Sequence, residues 1–175
     1  MKNTTIPKQG PWNLPDVPYH YFYGGDLSSF AATPGLLLPE AWFGHPEPAP
    51  LVEVPTVEHW WQAIKSTFPQ DFYWVLSAPT AAAAKRRGGP RGEGGRRITL
   101  REDWEEVKVE AMRFGHAKKH AMPRYRHVLP ATGDHILVED SPSDFIWGGR
   151  GPNGLYNGQN LLGIVLMEVR AEQQS

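Results

Sequence analysis

The clearest helical pattern of apolar and polar positions falls at Thr56–Phe68, TVEHWWQAIKSTF. Val57, Trp61, Ile64 and Phe68 recur at helical spacing and predict a core-facing stripe. Glu58, Gln62 and Lys65 stand beside it at i, i+4 and i+7, within an arc of roughly 60°. Thr56 suits an N-cap and Pro69 a stop. The pattern allows two readings. One is a surface helix with a solvated Glu–Lys face, the commoner arrangement. The other is a carboxylate, an amide and an amine lining a pocket beside Trp60 and Trp61.

Other stretches are read the same way. Tyr19–Tyr23, YHYFY, predicts a strand, and Gly24-Gly25-Asp26 turns the chain into a loop with Ser28, Ser29 and Phe30. Six prolines over residues 33–55 predict extended loop, with a short strand at Leu51–Val54. Helices are expected at Asp71–Ser77 and at Thr80–Arg86. Thr99 and Glu102 form a capping-box pattern, predicting a helix to about Ala121 with Trp104, Val107, Ala111 and Phe114 facing the core. Lys118, Lys119 and His120 suit the negative end of that helix's dipole. His135–Glu139 predicts a strand, Ser141–Trp147 a short helix, and Asn160 the N-cap of an apolar final helix. Residues 1–18, punctuated by four prolines, predict an N-terminal arm, with one domain over 19–175.

Composition changes this picture little. The formal net charge of −1 gives no global reason for a nucleic-acid partner. The chain has no cysteine, which excludes disulfides and thiolate chemistry and fits a reducing, cytoplasmic setting. No apolar run reaches membrane-spanning length, so no membrane partner is expected. Seven tryptophans exceed what the core needs, which leaves one or two for a ligand.

Two glycine-rich stretches stand out. KRRGGPRGEGGRR, residues 85–97, sets six basic residues against Glu93 and reads as a mobile surface loop. Arg86, Arg87 and Arg91 are its candidate nucleic-acid contacts, set against a plain solvated insertion. GGRGPNGLYNG, residues 148–158, feeds the last helix. Gly148, Gly149, Arg150 and Asn160 could there hold an anion on backbone N–H groups, although no nucleotide-binding glycine motif is present. Asp144 and Trp147, three residues apart, offer a carboxylate beside an aromatic plane. His116 and His120 have ligand spacing on a helix but no third ligand nearby, so neither a metal nor a cofactor is expected.

Taken together, YFYGGDLSSF, VEHWWQAIK, SAPTAAAAK, DWEEVKVEAM and ATGDHILVEDSPSDFIWGGRGPNGLYNGQNLLGIVLMEVR resemble the NADAR (YbiA-like) family in order and spacing. The resemblance covers about Tyr19 to Arg170. It implies a mainly α, compact single-domain fold with a few short strands and long Gly/Pro-rich loops. It also implies N-glycosidase chemistry on ribosyl compounds. One such activity removes ADP-ribose from guanine in single-stranded nucleic acid or from smaller ADP-ribose compounds, reversing guanine-directed toxins. Another cleaves phosphoribosylated intermediates of riboflavin synthesis. A non-catalytic ADP-ribose or NAD module is the third reading.

The resemblance carries function to Glu58, Lys65, Trp104, Asp144 and Trp147, with Asn160 fixed in the closing loop. Glu58 is expected to stabilise positive charge at the anomeric carbon, with Asp144 as a possible second carboxylate. Lys65 either forms an imine with opened ribose or binds phosphate. Ser29 and Gln62 join Trp104 and Trp147 as expected substrate contacts, though Trp104 equally fits core packing. The chain departs from the family pattern at Gln159, in the Pro-rich segment, and at residues 85–97, where the family has a short Leu-Gly-Arg turn.

Overall fold

The computed structural model describes residues 17–41, 49–151 and 153–175. The expected arm therefore lies almost wholly outside the described residues. Contacts divide the chain into two units: Ser29–Tyr125, and the described residues up to Ser28 together with Arg126–Ser175.

In the Ser29–Tyr125 unit, β2 (Leu37–Pro39) pairs antiparallel with β3 (Leu51–Glu53). A strand inside the Pro-rich segment corrects the expectation of loop there. Pro39 is tolerated because it ends its strand opposite Leu51, where a missing donor costs little. Four helices follow: α1 (Val57–Ala63), α2 (Pro69–Leu76), α3 (Ala81–Arg87) and α4 (Trp104–Ala121). Thr56 and Thr80 cap α1 and α3, each Oγ1 accepting from the N–H three residues on at 3.1 Å. Pro69 opens α2 as its first residue.

Helix α1 is shorter than its pattern suggests and is buried on every side. Its last hydrogen bond runs from Ile64 N–H to Trp60 O, so Lys65 and Phe68 lie beyond it. Phe68, expected in the core, is 45% exposed. Helix α4 crosses α1 at Gly115, where a Cβ would stand 3.0 Å from Val57 Cγ1 and 3.2 Å from the Trp60 ring. The capping box at Thr99 does not form. Thr99 N–H instead donates to Asp71 Oδ2 at 2.9 Å, and α4 starts at Trp104. Asp103 precedes that helix but is held by the Arg101 guanidinium at 2.6 and 2.9 Å rather than capping it.

In the other unit, β1 (Tyr19–Phe22) pairs parallel with β4 (Ile136–Glu139). Helix α5 (Leu161–Gln174) packs on β4, with Ile164 and Met167 against Ile136 and Val138, and it buries Leu162, Gly163, Val165, Leu166 and Val169. Gly163 permits this approach, because a Cβ there would meet Leu137 O at 2.1 Å. Ser141–Trp147 is a run of turns, correcting the expected short helix. The Ser141 hydroxyl accepts from Asp144 N–H at 3.1 Å, and Asp144 Oδ1 accepts from Trp147 N–H at 3.0 Å. These local bonds compete with a helical ladder.

Candidate active site

The seam of α1 is not a solvated face. Glu58 and Gln62 are 5% and 2% exposed. Gln62 Nε2 donates to Glu58 Oε1 at 2.8 Å, so i, i+4 spacing becomes a buried carboxylate–amide pair. Gln62 Oε1 is buried with no hydrogen-bond partner among the described residues. It faces Gly88, where a Cβ would lie 2.3 Å away. Such a carbonyl costs about 1–3 kcal/mol if nothing satisfies it. Ser29 belongs to the same cluster: its carbonyl accepts from Glu58 N–H at 3.0 Å, and its hydroxyl lies 3.0 Å from His116 Nε2.

Lys65 reaches away from the helix end. Its Nζ donates to Gly88 O at 3.3 Å and lies 4.6 Å from the Trp61 ring centroid and 5.4 Å from that of Trp104. Trp104 is buried and packs edge-on against Trp61 at 4.8 Å. Core packing and contact with a site residue are therefore both true of it. Lys65 opens onto a cavity of about 350 Å3, lined also by Gly88, Gly89, Pro90, Arg97, Ile98 and Leu100.

Sequence reasoning missed the polar cluster inside α4. His116, Lys119 and His120, read from sequence only as suiting the helix dipole and as a histidine pair, are fully buried. Lys119 Nζ sits 4.8 Å from the Tyr125 ring. Desolvation, with the Lys119 charge second, lowers His120 to about 3 and holds His116 well below the ordinary histidine range. Burial also lowers His59, whose Nε2 lies 3.1 Å from Ala78 O and whose Nδ1 lies 2.8 Å from Thr56 Oγ1. Of the expected stripe, Trp104 and Ala111 are buried, whereas Val107 and Phe114 are half-buried. Nothing in the pattern marked the turn of His116, Lys119 and His120 as buried with it.

Residues 85–97 are pinned rather than free, correcting the mobile loop. Glu93 accepts from Arg86 at 3.0 Å and from Arg87 at 2.7 Å. Arg87 also donates to Trp74 O at 2.7 Å. Arg96 pairs with Asp71 at 3.2 Å and lies 4.4 Å over the Trp74 ring. Arg91 and Arg97 form no ion pair among the described residues.

In the other unit, the glycine loop is closed on itself. N–H groups of Gly148, Gly149, Gly158 and Asn160 donate to Asp144 O, Glu139 O, Gly149 O and Gly148 O at 2.8–3.0 Å. The first N–H groups of α5 donate to Ile146 O and Trp147 O, both at 3.1 Å. The expected anion cradle is thus filled by the chain's own carbonyls. Arg150 is held by Asp140 at 2.6 Å, which Tyr156 also contacts at 2.9 Å. Asn160 precedes α5 in the left-handed region, φ 55°, and makes no side-chain cap. Its Nδ2 donates to Leu137 O at 2.8 Å and its Oδ1 accepts from Glu139 N–H at 3.1 Å. Asn160 therefore ties the loop to β4.

These features agree with comparisons to known proteins. The NADAR domain matches residues 40–174, and the chain belongs to that family. It is 41% identical over 121 residues to "N-glycosidase Npun_R5314" of Nostoc punctiforme, covering 67% of this chain and 72% of that protein. It is 32% identical over 149 residues to "N-glycosidase YbiA" of Escherichia coli, covering 85% and 81%. A stretch of 125 residues is 36% identical to "Riboflavin biosynthesis protein PYRR, chloroplastic" of Zea mays, 67% of this chain but 19% of that one. The NMR structure of E. coli YbiA superposes with a TM-score of 0.68 at 29% identity, covering 94% of this chain and 89% of the other. The five helices and short strands of the described residues are thus a YbiA-like fold, and the chain is a hydrolase that cleaves N-glycosidic bonds. No described helix is long and apolar enough to cross a membrane.

Proposed function

We propose that the chain removes ADP-ribose from guanine bases of nucleic acid by hydrolysing the bond between ribose C1 and the base nitrogen. The bond breaks with its electron pair passing to the base. The net reaction adds a hydroxyl from water to C1 and a proton to the base. Positive charge builds on C1 and the ring oxygen as the base departs. A carboxylate withdrawn from water stabilises that charge more in the transition state than in the ground state.

The buried Glu58, oriented by Gln62 at 2.8 Å, is the observation that carries this reading. Lys65, held between Trp61 and Trp104, is the proposed nucleophile toward C1, as the family resemblance implies. Attack of the neutral Lys65 amine forms a Lys65–C1 bond as the C1–base bond breaks, with an amine proton passing to the departing base. The adduct opens to an imine, which water hydrolyses, leaving the oxygen on C1 and returning a proton to the amine. Arg91 and Arg97, neither committed to an acid among the described residues, support a polyanionic substrate.

A second reading is supported by the likeness to riboflavin biosynthesis proteins, that of maize among them. In it the leaving base belongs to a phosphoribosylated riboflavin precursor, cleaved by the same C1–N step. The test is parallel incubation with ADP-ribosylated single-stranded DNA and with those precursors, followed by mass spectrometry. Release of ADP-ribose is expected. Turnover of the precursors alone would replace the first reading by the second.

A further inference from the structure

The insertion at residues 85–97 is where this chain leaves the family pattern, and its local structure has a clear logic. Glu93 and Arg96 form an antiparallel bridge, with Glu93 N–H donating to Arg96 O at 3.0 Å and Arg96 N–H to Glu93 O at 3.1 Å. The two residues between them, Gly94 and Gly95, both have positive φ, 60° and 79°. Two adjacent positive φ values are the requirement of a tight type I′ turn, which glycine meets without strain. The insertion is thus a small hairpin. Its base is clamped by Arg86 and Arg87 on Glu93 and by Arg96 on Asp71 and Trp74.

Those clamps use three of the arginines and set the position of a fourth. Arg97 follows the bridge directly and lines the Lys65 cavity. Its stem lies against Gly92, where an added Cβ would stand 2.7 Å from Arg97 Cγ and 1.9 Å from Arg96 O. Gly92 also has φ 65°. The cavity is therefore lined by two basic side chains, Lys65 and Arg97, and, among the described residues, by no acidic one. Pro90, Ile98 and Leu100 form its apolar wall. The glycine loop before α5, the alternative anion site, has its N–H groups taken by backbone carbonyls.

We propose that Arg97, delivered by this hairpin, holds the 5-phosphoryl group of the substrate's ribose, so that the ribose lies between Arg97 and Lys65. The inference rests on the N-glycosidase reading for the orientation of C1 toward Lys65, but not for the binding itself. A guanidinium matches a phosphoryl group with two parallel N–H donors, whereas the apolar wall accepts the sugar's C–H face. ADP-ribose and a ribose 5-phosphate both present this group, and separate arms of the test tell them apart.

The experiment is titration of the catalytically unmodified chain with ribose, ribose 5-phosphate and ADP-ribose, read by tryptophan fluorescence and calorimetry. Wild type is expected to bind both phosphorylated sugars and to bind ribose far more weakly. Arg97→Gln should weaken both phosphorylated ligands by about 10- to 100-fold and leave ribose unchanged. Arg97→Lys should recover part of the loss, because it keeps the charge but not the paired donors. A weakening confined to ADP-ribose would assign Arg97 to another part of that molecule and overturn the proposal. So would Arg97→Gln binding equal to wild type, or a wild type that does not distinguish ribose 5-phosphate from ribose. Gly92→Ala provides an independent arm: it should weaken the phosphorylated sugars without altering any charge. Because binding is read without turnover, an inactive wild type that still binds through Arg97 would count against the N-glycosidase reading alone.

Discussion

The seam of α1 and the glycine loop before α5 make opposite use of their polar groups. By composition the loop is the obvious ligand site, with glycines, an arginine and a helix N-terminus. Yet its N–H groups close on Asp144 O, Glu139 O, Gly148 O and Gly149 O, its arginine pairs with Asp140, and Asn160 ties it to β4. The α1 seam reads as an ordinary Glu–Lys surface. Yet Glu58 and Gln62 are buried, Gln62 Oε1 is unsatisfied among the described residues, and Lys65 opens onto a cavity. Polar groups spent on the fold make a scaffold, and polar groups buried with capacity to spare make a site.

Replacing Lys65 should separate the two regions most sharply. Lys65→Ala is expected to lower kcat by at least about a hundredfold, as loss of a nucleophile does. Borohydride added during turnover should trap a covalent adduct on the wild type and none on the variant. Failure to trap an adduct on active wild type would return Lys65 to phosphate binding. The converse change belongs to the loop. Asn160→Ala strips the hydrogen bonds to Leu137 O and Glu139 N–H, each worth about 1–3 kcal/mol when lost in the interior. Thermal unfolding should show a clearly lowered Tm, and activity should fall only with the folded fraction. An unaltered Tm with lost activity would move Asn160 into the site.

The contrast also explains what could be read from sequence. Thr56 announced its helix because a cap depends on neighbours in the chain, and Thr80 proves to cap the alanine-rich helix expected there. The strand at Tyr19 was legible from its short aromatic run and the turn residues after it, its partner at Ile136 as an extended segment after a turn, and α5 from its apolar run. The catalytic candidates Glu58 and Lys65 were visible as a seam, but the burial of Glu58 was not. Burial depends on α4 crossing α1 at Gly115, which is a contact between distant segments. The Thr99 capping box failed for the same kind of reason: Asp71, 28 residues away, took its N–H. Arg97 was hidden among six basic residues until Glu93 and Asp71 were seen to hold Arg86, Arg87 and Arg96.

A smaller effect concerns pH. The unfolded chain takes up protons on His116 and His120 below about pH 6.5, whereas the buried rings resist protonation, His120 down to about 3. Stability should therefore fall as pH drops below 6.5, by up to about 1.4 kcal/mol per pH unit for each ring, and level off only below the folded-state values. Denaturant unfolding at pH 7 and pH 5 measures this. Removing His120 as His120→Gln should flatten the slope, and an unchanged slope would show that the ring is solvated. The smallest expected effect is in the hairpin. Arg86 and Arg87 are already tied to Glu93, so Arg86→Gln should barely alter the salt dependence of nucleic-acid binding. Arg91→Gln should reduce that slope by about one.

The central claim is tested most directly by Glu58→Gln, which keeps shape and removes charge, with kcat and Tm measured on the same sample. The account predicts that kcat falls about 10²- to 10³-fold while the protein stays folded with an undiminished Tm. Release of ADP-ribose from modified guanosine at the wild-type rate would contradict it.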